Sequence, residues 1–126
     1  MKLAYAVVRV RDLTRMAAWY EQLLGQPPDR RRTAAELARD PWVQFTFVGG
    51  AALALQGVDT LAEVAFGGAW DRGAVYLACP VMQVVARLRA ADEQVEGPEV
   101  DGPLLQAVVV DPEGNRMRLM EWLSNP

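Results

Sequence analysis

The chain has 126 residues, of which 52% are hydrophobic and 23% are charged, and its formal net charge is −3. This length and composition are typical of one globular domain and exclude a disordered tail or a coiled coil. The negative charge argues against a protein that neutralises nucleic-acid phosphates. The chain contains no histidine, which excludes a Ser-His-Asp hydrolase and any metal site built on two histidines and one carboxylate.

Cysteine is nearly as scarce as histidine, with a single residue. Cys79 stands alone, so the chain forms no internal disulfide and no Cys-rich zinc site. We interpret it as a small apolar filler rather than a catalytic thiolate, because no basic residue is close to it in the sequence. No segment resembles a signal-peptide core or a membrane span. We therefore expect a cytoplasmic protein with neither a membrane nor a nucleic acid as partner.

The first half of the chain begins with a strand and a helix. Residues 3–10 alternate loosely and are rich in valine, which predicts a strand. Asp12 is placed to cap a helix whose apolar stripe runs from Leu13 to Leu24. Gly25 is placed to end that helix in a left-handed conformation.

The next segment, residues 29–41, fits either a short helix or an edge strand. It opens with Arg30-Arg31-Arg32, which we interpret as a solvated run, with an anion-binding loop as the alternative. Residues 42–48 and 51–56 predict two strands, and Gly49-Gly50 between them predicts a hairpin turn.

The second half repeats this order of elements. It predicts an apolar strand, a helix that begins after Pro80, a short strand within a loop, and two longer strands joined by a tight turn. The main predicted segments are the strand at residues 73–79, the helix from 81 to 88, the strand at 104–110, the turn at 111–115 and the strand at 116–122.

Each half therefore follows the order β-α-β-β-β. We assign residues 1–56 to a first module, 57–72 to a connection and 73–123 to a second module, within a single domain of residues 1–126. Tight turns join antiparallel neighbours, so the pattern favours an α+β fold over a small doubly wound fold.

Three motifs carry a resemblance to a known family. Residues 10–25 resemble its first strand-helix unit, residues 45–55 resemble its third and fourth strands, and residues 111–115 resemble its most distinctive turn. In this order they resemble the vicinal oxygen chelate superfamily, also called the glyoxalase, bleomycin-resistance and dioxygenase group. The resemblance implies two βαβββ modules that form a curled mixed sheet around a central cup, which holds the site.

Metal enzymes of that family carry one ligand on each of four strands, typically His, Glu, His and Glu. By spacing from the shared motifs, these positions fall on Tyr5, Ala54, Arg118 and near Gly73. None is a ligand for a divalent cation, and a guanidinium would repel one. Glu121 is the one acidic candidate on the cup-facing strands. We therefore reject glyoxalase I, extradiol dioxygenase and metal-dependent epimerase activity, and we expect no metal and no cofactor.

Alternation along the strands predicts which side chains face the cup. For residues 42–48, either the set containing Trp42 or the set containing Phe45 fits. In the second half, Val75 and Arg118 are expected to face the cup. Trp70, in the connection, is a candidate lid. The candidate ligand-binding residues are Tyr5, Val7, Arg9, Trp42, Phe45, Ala54, Gln56, Trp70, Val75, Arg116, Arg118 and Met120.

The expected cup is apolar and aromatic with few polar groups, as small-ligand sites are. A guanidinium such as Arg118 suits a carboxylate or phosphate, or stacks on a ring. A structural contact between Tyr5 and Arg118 in a closed core is the alternative.

Three functions fit this sequence. The favoured one is metal-independent binding of a small aromatic or anionic molecule, as in the drug-binding resistance proteins of the family. The second is a metal-independent isomerase, lyase or cyclase with Tyr5 and Arg118 as catalytic residues. The third is a structural or regulatory protein with a closed cup. A homodimer is expected in each case, because isologous association is the commonest symmetry.

Overall fold

A computed structural model of the chain describes residues 5–59 and 75–123, except for the side chain of Tyr5. The chain forms two compact units, residues 1–69 and 70–126. The first unit contains β1 (Tyr5–Val10), α1 (Leu13–Leu24), α2 (Ala34–Arg39), β2 (Trp42–Thr46) and β3 (Ala52–Gly57). The second unit contains β4 (Val75–Ala78), α3 (Val81–Ala90), β5 (Val95–Asp101), β6 (Leu104–Val110) and β7 (Arg116–Trp122).

Each unit has a mixed sheet, which confirms the predicted α+β class. The strand order is β1-β3-β2 in the first unit and β4-β7-β6-β5 in the second. In both sheets the first strand of the unit runs parallel to the last, and the other pairs are antiparallel. Within the described ranges, no helix is both long and apolar enough to cross a bilayer.

Helix α1 follows the prediction from end to end. The Asp12 side chain accepts a hydrogen bond from the Arg15 backbone N–H at 3.1 Å, which satisfies a donor of the first turn. Gly25 ends the helix with φ of 70°, a conformation that glycine adopts without steric cost. The buried stripe of α1 consists of Leu13, Met16, Trp19, Tyr20 and Leu23.

Residues 34–39 form helix α2, so the alternative of an edge strand in this segment is wrong. Thr33 and Glu36 form a capping box: the Thr33 hydroxyl accepts from the Glu36 N–H, and the Glu36 carboxylate accepts from the Thr33 N–H, each at 3.2 Å. These reciprocal bonds satisfy donors at the helix start. Because α2 takes the place of a strand, the described part of the first unit has the order β-α-α-β-β.

Two of the three consecutive arginines before α2 are solvated, as predicted: the side chains of Arg30 and Arg31 are 68% and 71% exposed, whereas that of Arg32 is mostly buried. Each guanidinium forms an ion pair with a carboxylate of its own unit: Arg30 with Glu36 at 3.1 Å, Arg31 with Glu21 at 2.8 Å and Arg32 with Asp40 at 3.2 Å. The Arg32 side chain is only 10% exposed and also donates to the backbone carbonyl of Trp42 at 2.6 Å. Arg32 is therefore held firmly beside α2, whereas the exposed ion pairs of Arg30 and Arg31 contribute little to stability. All three guanidinium groups have a carboxylate partner, which argues against the alternative of an anion-binding loop.

The second unit confirms the predicted strands at residues 104–110 and 116–122 to the residue. Its edge strand β5 is longer than the short strand expected in a loop, because residues 95–101 pair along β6. Helix α3 buries Val81, Val85 and Leu88. Most of the predicted connection, residues 60–72, lies outside the described residues.

Candidate functional site

Among the described residues of each unit, one face of the sheet meets a helix and the opposite face does not. In the first unit, a Cβ built on Gly57 of β3 would lie 3.4 Å from the Leu13 side chain of α1, so the odd-numbered residues of β3 face that helix. In the second unit, the Glu121 side chain of β7 reaches the backbone of α3. We call the opposite surface the helix-free face of each unit.

The helix-free face of the first unit has three rows of residues in register. Val7, Ala54 and Gln44 form the middle row, flanked on one side by the row Arg9, Gln56 and Trp42 and on the other by Ala52 and Thr46. This register decides the alternative left open by the sequence: the set with Trp42 lies on the helix-free face. Phe45 points the other way and is fully buried. Its expected place among the cup-lining residues is therefore wrong.

The polar groups on this face bond to one another. The Trp42 indole N–H donates to the Gln44 side-chain oxygen at 3.1 Å, and the Gln44 amide donates to the Thr46 hydroxyl at 3.3 Å. The Thr46 hydroxyl in turn donates to the Asp29 carboxylate, which also accepts from the Thr46 backbone N–H at 2.7 Å. This chain of bonds orients the Trp42 and Gln44 side chains and engages the Trp42 indole N–H and the Thr46 hydroxyl as donors.

The helix-free face of the second unit carries a cation beside an aromatic ring. Tyr76 of β4 lies opposite Arg118 of β7, Arg118 opposite Val108 of β6, and Val108 opposite Glu96 of β5. The sequence had placed Val75 on this face, but Val75 pairs with Met117, which is buried. The predicted alternation of β4 is thus one residue out of phase, and Tyr76 replaces Val75 beside Arg118.

The two arginines of β7 on this face have different partners. Arg116 binds the Glu96 carboxylate with both terminal nitrogens, at 3.2 Å and 2.8 Å. The guanidinium carbon of Arg118 lies 6.0 Å from the centroid of the Tyr76 ring. Within the parts of the chain that the structure describes, Arg118 forms no ion pair with a carboxylate. Tyr76 is 53% exposed, so this pair is open to an approaching molecule.

The two arginines together act on Glu96. The hydrogen bonds from Arg116 lower the pKa of the Glu96 carboxyl below its ordinary value, and the charges of Arg116 and Arg118 act in the same direction. Glu96 is therefore ionised at neutral pH, and the three side chains carry one net positive charge.

The predicted site residues are divided between the two units. On the helix-free face of the first unit lie Val7, Arg9, Trp42, Ala54 and Gln56, and on that of the second lie Arg116, Arg118 and Met120. Tyr5 has its backbone in β1 opposite Ala52, but its side chain is not described, and Trp70 lies outside the described residues. Whether any of these residues binds a ligand stays a prediction. The sequence analysis missed Tyr76 and Glu96, which only strand register brings to Arg118.

The residues that the resemblance places at the family's metal positions do not have the chemistry of ligands for a divalent cation. Ala54 is a fully buried methyl side chain, and Arg118 presents only donors and a positive charge. Gly73 lies outside the described residues. Within the described residues, no group of three or more Cys, Asp or Glu side chains is arranged to hold a metal ion.

Glu121 lies on the face of β7 that meets α3, so it does not face the cup and is wrong as an acidic candidate there. Its carboxylate accepts a hydrogen bond from the Val81 backbone N–H at 3.1 Å. Pro80, which precedes α3, offers no side-chain acceptor, so Glu121 caps the helix from a distant part of the chain. Burial raises the pKa of the nearby Cys79 thiol, and the Glu121 charge adds to this rise. The Cys79 thiol is thus held protonated, which favours the interpretation of Cys79 as a filler.

Replacing Glu121 with alanine is expected to lower the free energy of unfolding by about 1 kcal/mol, the usual cost of losing a helix cap. Urea denaturation measures this loss. Glu99→Ala, which removes an exposed carboxylate from β5, is the matched control and should leave the midpoint nearly unchanged. Equal midpoints for both variants would contradict the capping role.

Comparison with known proteins identifies the family. Residues 2–119 match the model of the Glyoxalase/Bleomycin resistance protein/Dioxygenase superfamily. The sequence matches no curated protein.

Several solved structures resemble this one along nearly their whole length. TnmS3, an antibiotic binding protein from Streptomyces sp. CB03234, has 22% identity and a TM-score of 0.73, with 97% of this chain and 96% of that chain covered. A glyoxalase/bleomycin resistance protein/dioxygenase family enzyme from Burkholderia phytofirmans PsJN has 20% identity and a TM-score of 0.66, covering 98% and 100%. A glyoxalase/bleomycin resistance protein from Catenulispora acidiphila DSM 44928 has 16% identity and a TM-score of 0.66, covering 96% and 98%.

At these identities the structural likeness concerns the fold. The family model, in contrast, spans all of the described strands and helices except the last residues of β7. The chain therefore belongs to the glyoxalase/bleomycin resistance protein/dioxygenase superfamily, as its motifs indicated.

Proposed function

We propose that this protein binds a small, planar aromatic anion on the helix-free face of its second unit, without a metal ion. The observation that carries the proposal is the pair of Arg118 and Tyr76. Arg118 supplies donors for a carboxylate or phenolate oxygen, and Tyr76 supplies a ring on which a planar molecule stacks.

The geometry of this pair favours exchange with a ligand. A separation of 6.0 Å between guanidinium carbon and ring centroid is at the outer limit of a cation–π contact and holds Arg118 weakly. Arg118 therefore loses only a weak contact with Tyr76 when its N–H groups bind an incoming anion. Arg116, by comparison, would first have to leave its two bonds to Glu96.

The surroundings of the pair suit an aromatic ligand. Val108 and Met120 flank Arg118 on the same face and are half-buried. Apolar walls with a few placed polar groups are typical of small-molecule sites. The family includes bleomycin resistance proteins, and one structural relative is named as an antibiotic binding protein, which supports a binding role of this kind. We also propose that the protein is cytoplasmic and forms a homodimer; sedimentation analysis tests the homodimer, and fractionation of cells tests the location.

Replacing Arg118 with methionine is expected to weaken the binding of an aryl carboxylate about tenfold or more, because a hydrogen bond to a charged group is lost. The measurement is isothermal titration with 2-naphthoate and with the neutral 2-naphthylmethanol. Arg118→Met should affect only the anion, whereas Tyr76→Leu should weaken both ligands through lost stacking.

Arg15→Met, which removes an exposed cation from α1, is the matched control and should leave both affinities unchanged. The proposal fails if the wild-type protein binds no aryl carboxylate, or if Arg118→Met binds 2-naphthoate as tightly as the wild type.

A further inference from the structure

The second helix-free face contains more positive charge than the proposed ligand uses. Arg116 and Arg118 are two residues apart on β7 and share this face, so their Cα atoms lie about 7 Å apart along the strand. Two guanidinium groups at this spacing can converge on one molecule that carries two negative charges. The ligand class therefore depends on whether both arginines are available.

Glu96 makes Arg116 unavailable to a ligand. Its carboxylate meets the terminal nitrogens of Arg116 in a parallel, two-bond arrangement at 3.2 Å and 2.8 Å, the geometry in which a guanidinium binds a carboxylate best. Glu96 lies on β5, opposite Val108 of β6, so this ion pair crosses β6, the strand between β5 and β7. A ligand carboxylate at Arg116 would have to displace it.

We infer that Glu96 is a specificity-determining residue: it occupies Arg116 and thereby restricts the site at Arg118 to aromatic ligands with a single negative charge. This inference rests on the proposed function. The carboxylate of Glu96 acts as a built-in competitor, and it repels a second negative charge on the ligand.

The exposure of the ion pair supports a role in selectivity rather than in stability. The side chains of Arg116 and Glu96 are 39% and 49% exposed, and ion pairs with such exposure contribute little to the stability of a fold. A variant without the Glu96 charge should therefore fold normally. The lowered pKa of Glu96 keeps the competing charge in place throughout the neutral pH range.

The test compares 2-naphthoate with naphthalene-2,3-dicarboxylate by isothermal titration at pH 7. The wild type is expected to prefer the monocarboxylate. In Glu96→Gln the affinity for the dicarboxylate, relative to that for the monocarboxylate, should rise about tenfold, because Arg116 gains a ligand carboxylate as its partner. The double variant Glu96→Gln/Arg116→Met should return to the wild-type preference.

Glu99→Gln is the matched control, since Glu99 lies on the same strand and the same face but is not the residue that pairs with Arg116; it should leave the preference unchanged. Circular dichroism and thermal unfolding verify the fold of each variant. The inference is overturned if Glu96→Gln leaves the preference unchanged, or if its gain persists in the double variant.

The outcomes separate the two proposals. If the wild type binds 2-naphthoate through Arg118 and Glu96→Gln has no effect on the preference, the inference alone fails. If neither the wild type nor Glu96→Gln binds either probe, the proposed function fails and the inference fails with it.

Discussion

Replacing Phe45 with alanine is expected to lower the free energy of unfolding by about 4 kcal/mol, within the range for deleting a fully buried phenylalanine. Phe45 has no exposed surface and lies opposite Leu53, which is also buried, in the pairing of β2 with β3. The side chain lies on the face of β2 that is turned toward α1, and its removal leaves a cavity that the close-packed core closes only in part. Guanidinium denaturation measures the loss.

Phe47→Ala is the matched control for this prediction. The chemistry of the substitution is the same, but Phe47 lies beyond the end of β2 and is only half-buried, so the expected loss is clearly smaller. Similar losses for the two variants would mean that β2 does not direct Phe45 into the core. Binding of 2-naphthoate by any folded Phe45→Ala protein should be retained, because this side chain is not on a helix-free face.

The elements that the sequence predicted well have strong local signals. Helix α1 combines a capping aspartate, an apolar stripe and a glycine at its end, so three independent signals agree on its limits. Strands β6 and β7 flank the turn at residues 111–115, which fixes where one ends and the other begins. Thr33 and Glu36 also carried the signal for α2, since a threonine followed three residues later by a glutamate is the pattern of a capping box.

The faces of short strands were harder to predict. Alternation tells which residues share a face, but a shift of one residue exchanges the two faces. Strand β4 has only four residues, all apolar or aromatic, so its own sequence contains no polar residue that marks the outer face. Its pairing with β7 decides the matter and places Tyr76, not Val75, beside Arg118.

Contacts between distant strands were not accessible to the sequence analysis at all. Glu96 and Arg116 are separated by a whole strand of the sheet, and they meet only because β5 pairs along β6 in a register that contains a bulge between Glu96 and Glu99. No local pattern predicts such a register. The sequence therefore predicted Arg118, the cation of the candidate site. It did not predict the Tyr76 ring or the Glu96 carboxylate, which lie beside the two arginines of β7.

Replacing Asp111 with alanine is expected to lower the free energy of unfolding by about 3 kcal/mol, because a buried charged acceptor of several hydrogen bonds is lost. One carboxylate oxygen of Asp111 accepts from the backbone N–H groups of Glu113 and Asn115, at 2.8 Å and 2.9 Å. The other accepts from the Asn115 side-chain amide at 2.8 Å. Asp111 and Asn115 are only 3% and 8% exposed, so water cannot readily replace the acceptor.

The comparison of Asp111→Asn with Asp111→Ala tests this account. Asparagine keeps one oxygen for the backbone donors but sets its own amide N–H groups against the amide of Asn115, so an intermediate loss is expected. Asp101→Ala, which removes an exposed carboxylate from β5, is the control and should change the thermal midpoint little. A small effect of Asp111→Ala would contradict the structural role.

The same prediction bears on how the family motif should be interpreted. The turn at residues 111–115 is the most distinctive piece of the resemblance, yet its aspartate and asparagine are engaged in closing the turn between β6 and β7. If Asp111→Ala unfolds at lower temperature while any folded fraction still binds 2-naphthoate with unchanged affinity, the motif reports the fold of the second unit and not its chemistry. In that case the chemistry of the second unit is to be sought on its helix-free face, which carries Arg118 and Tyr76.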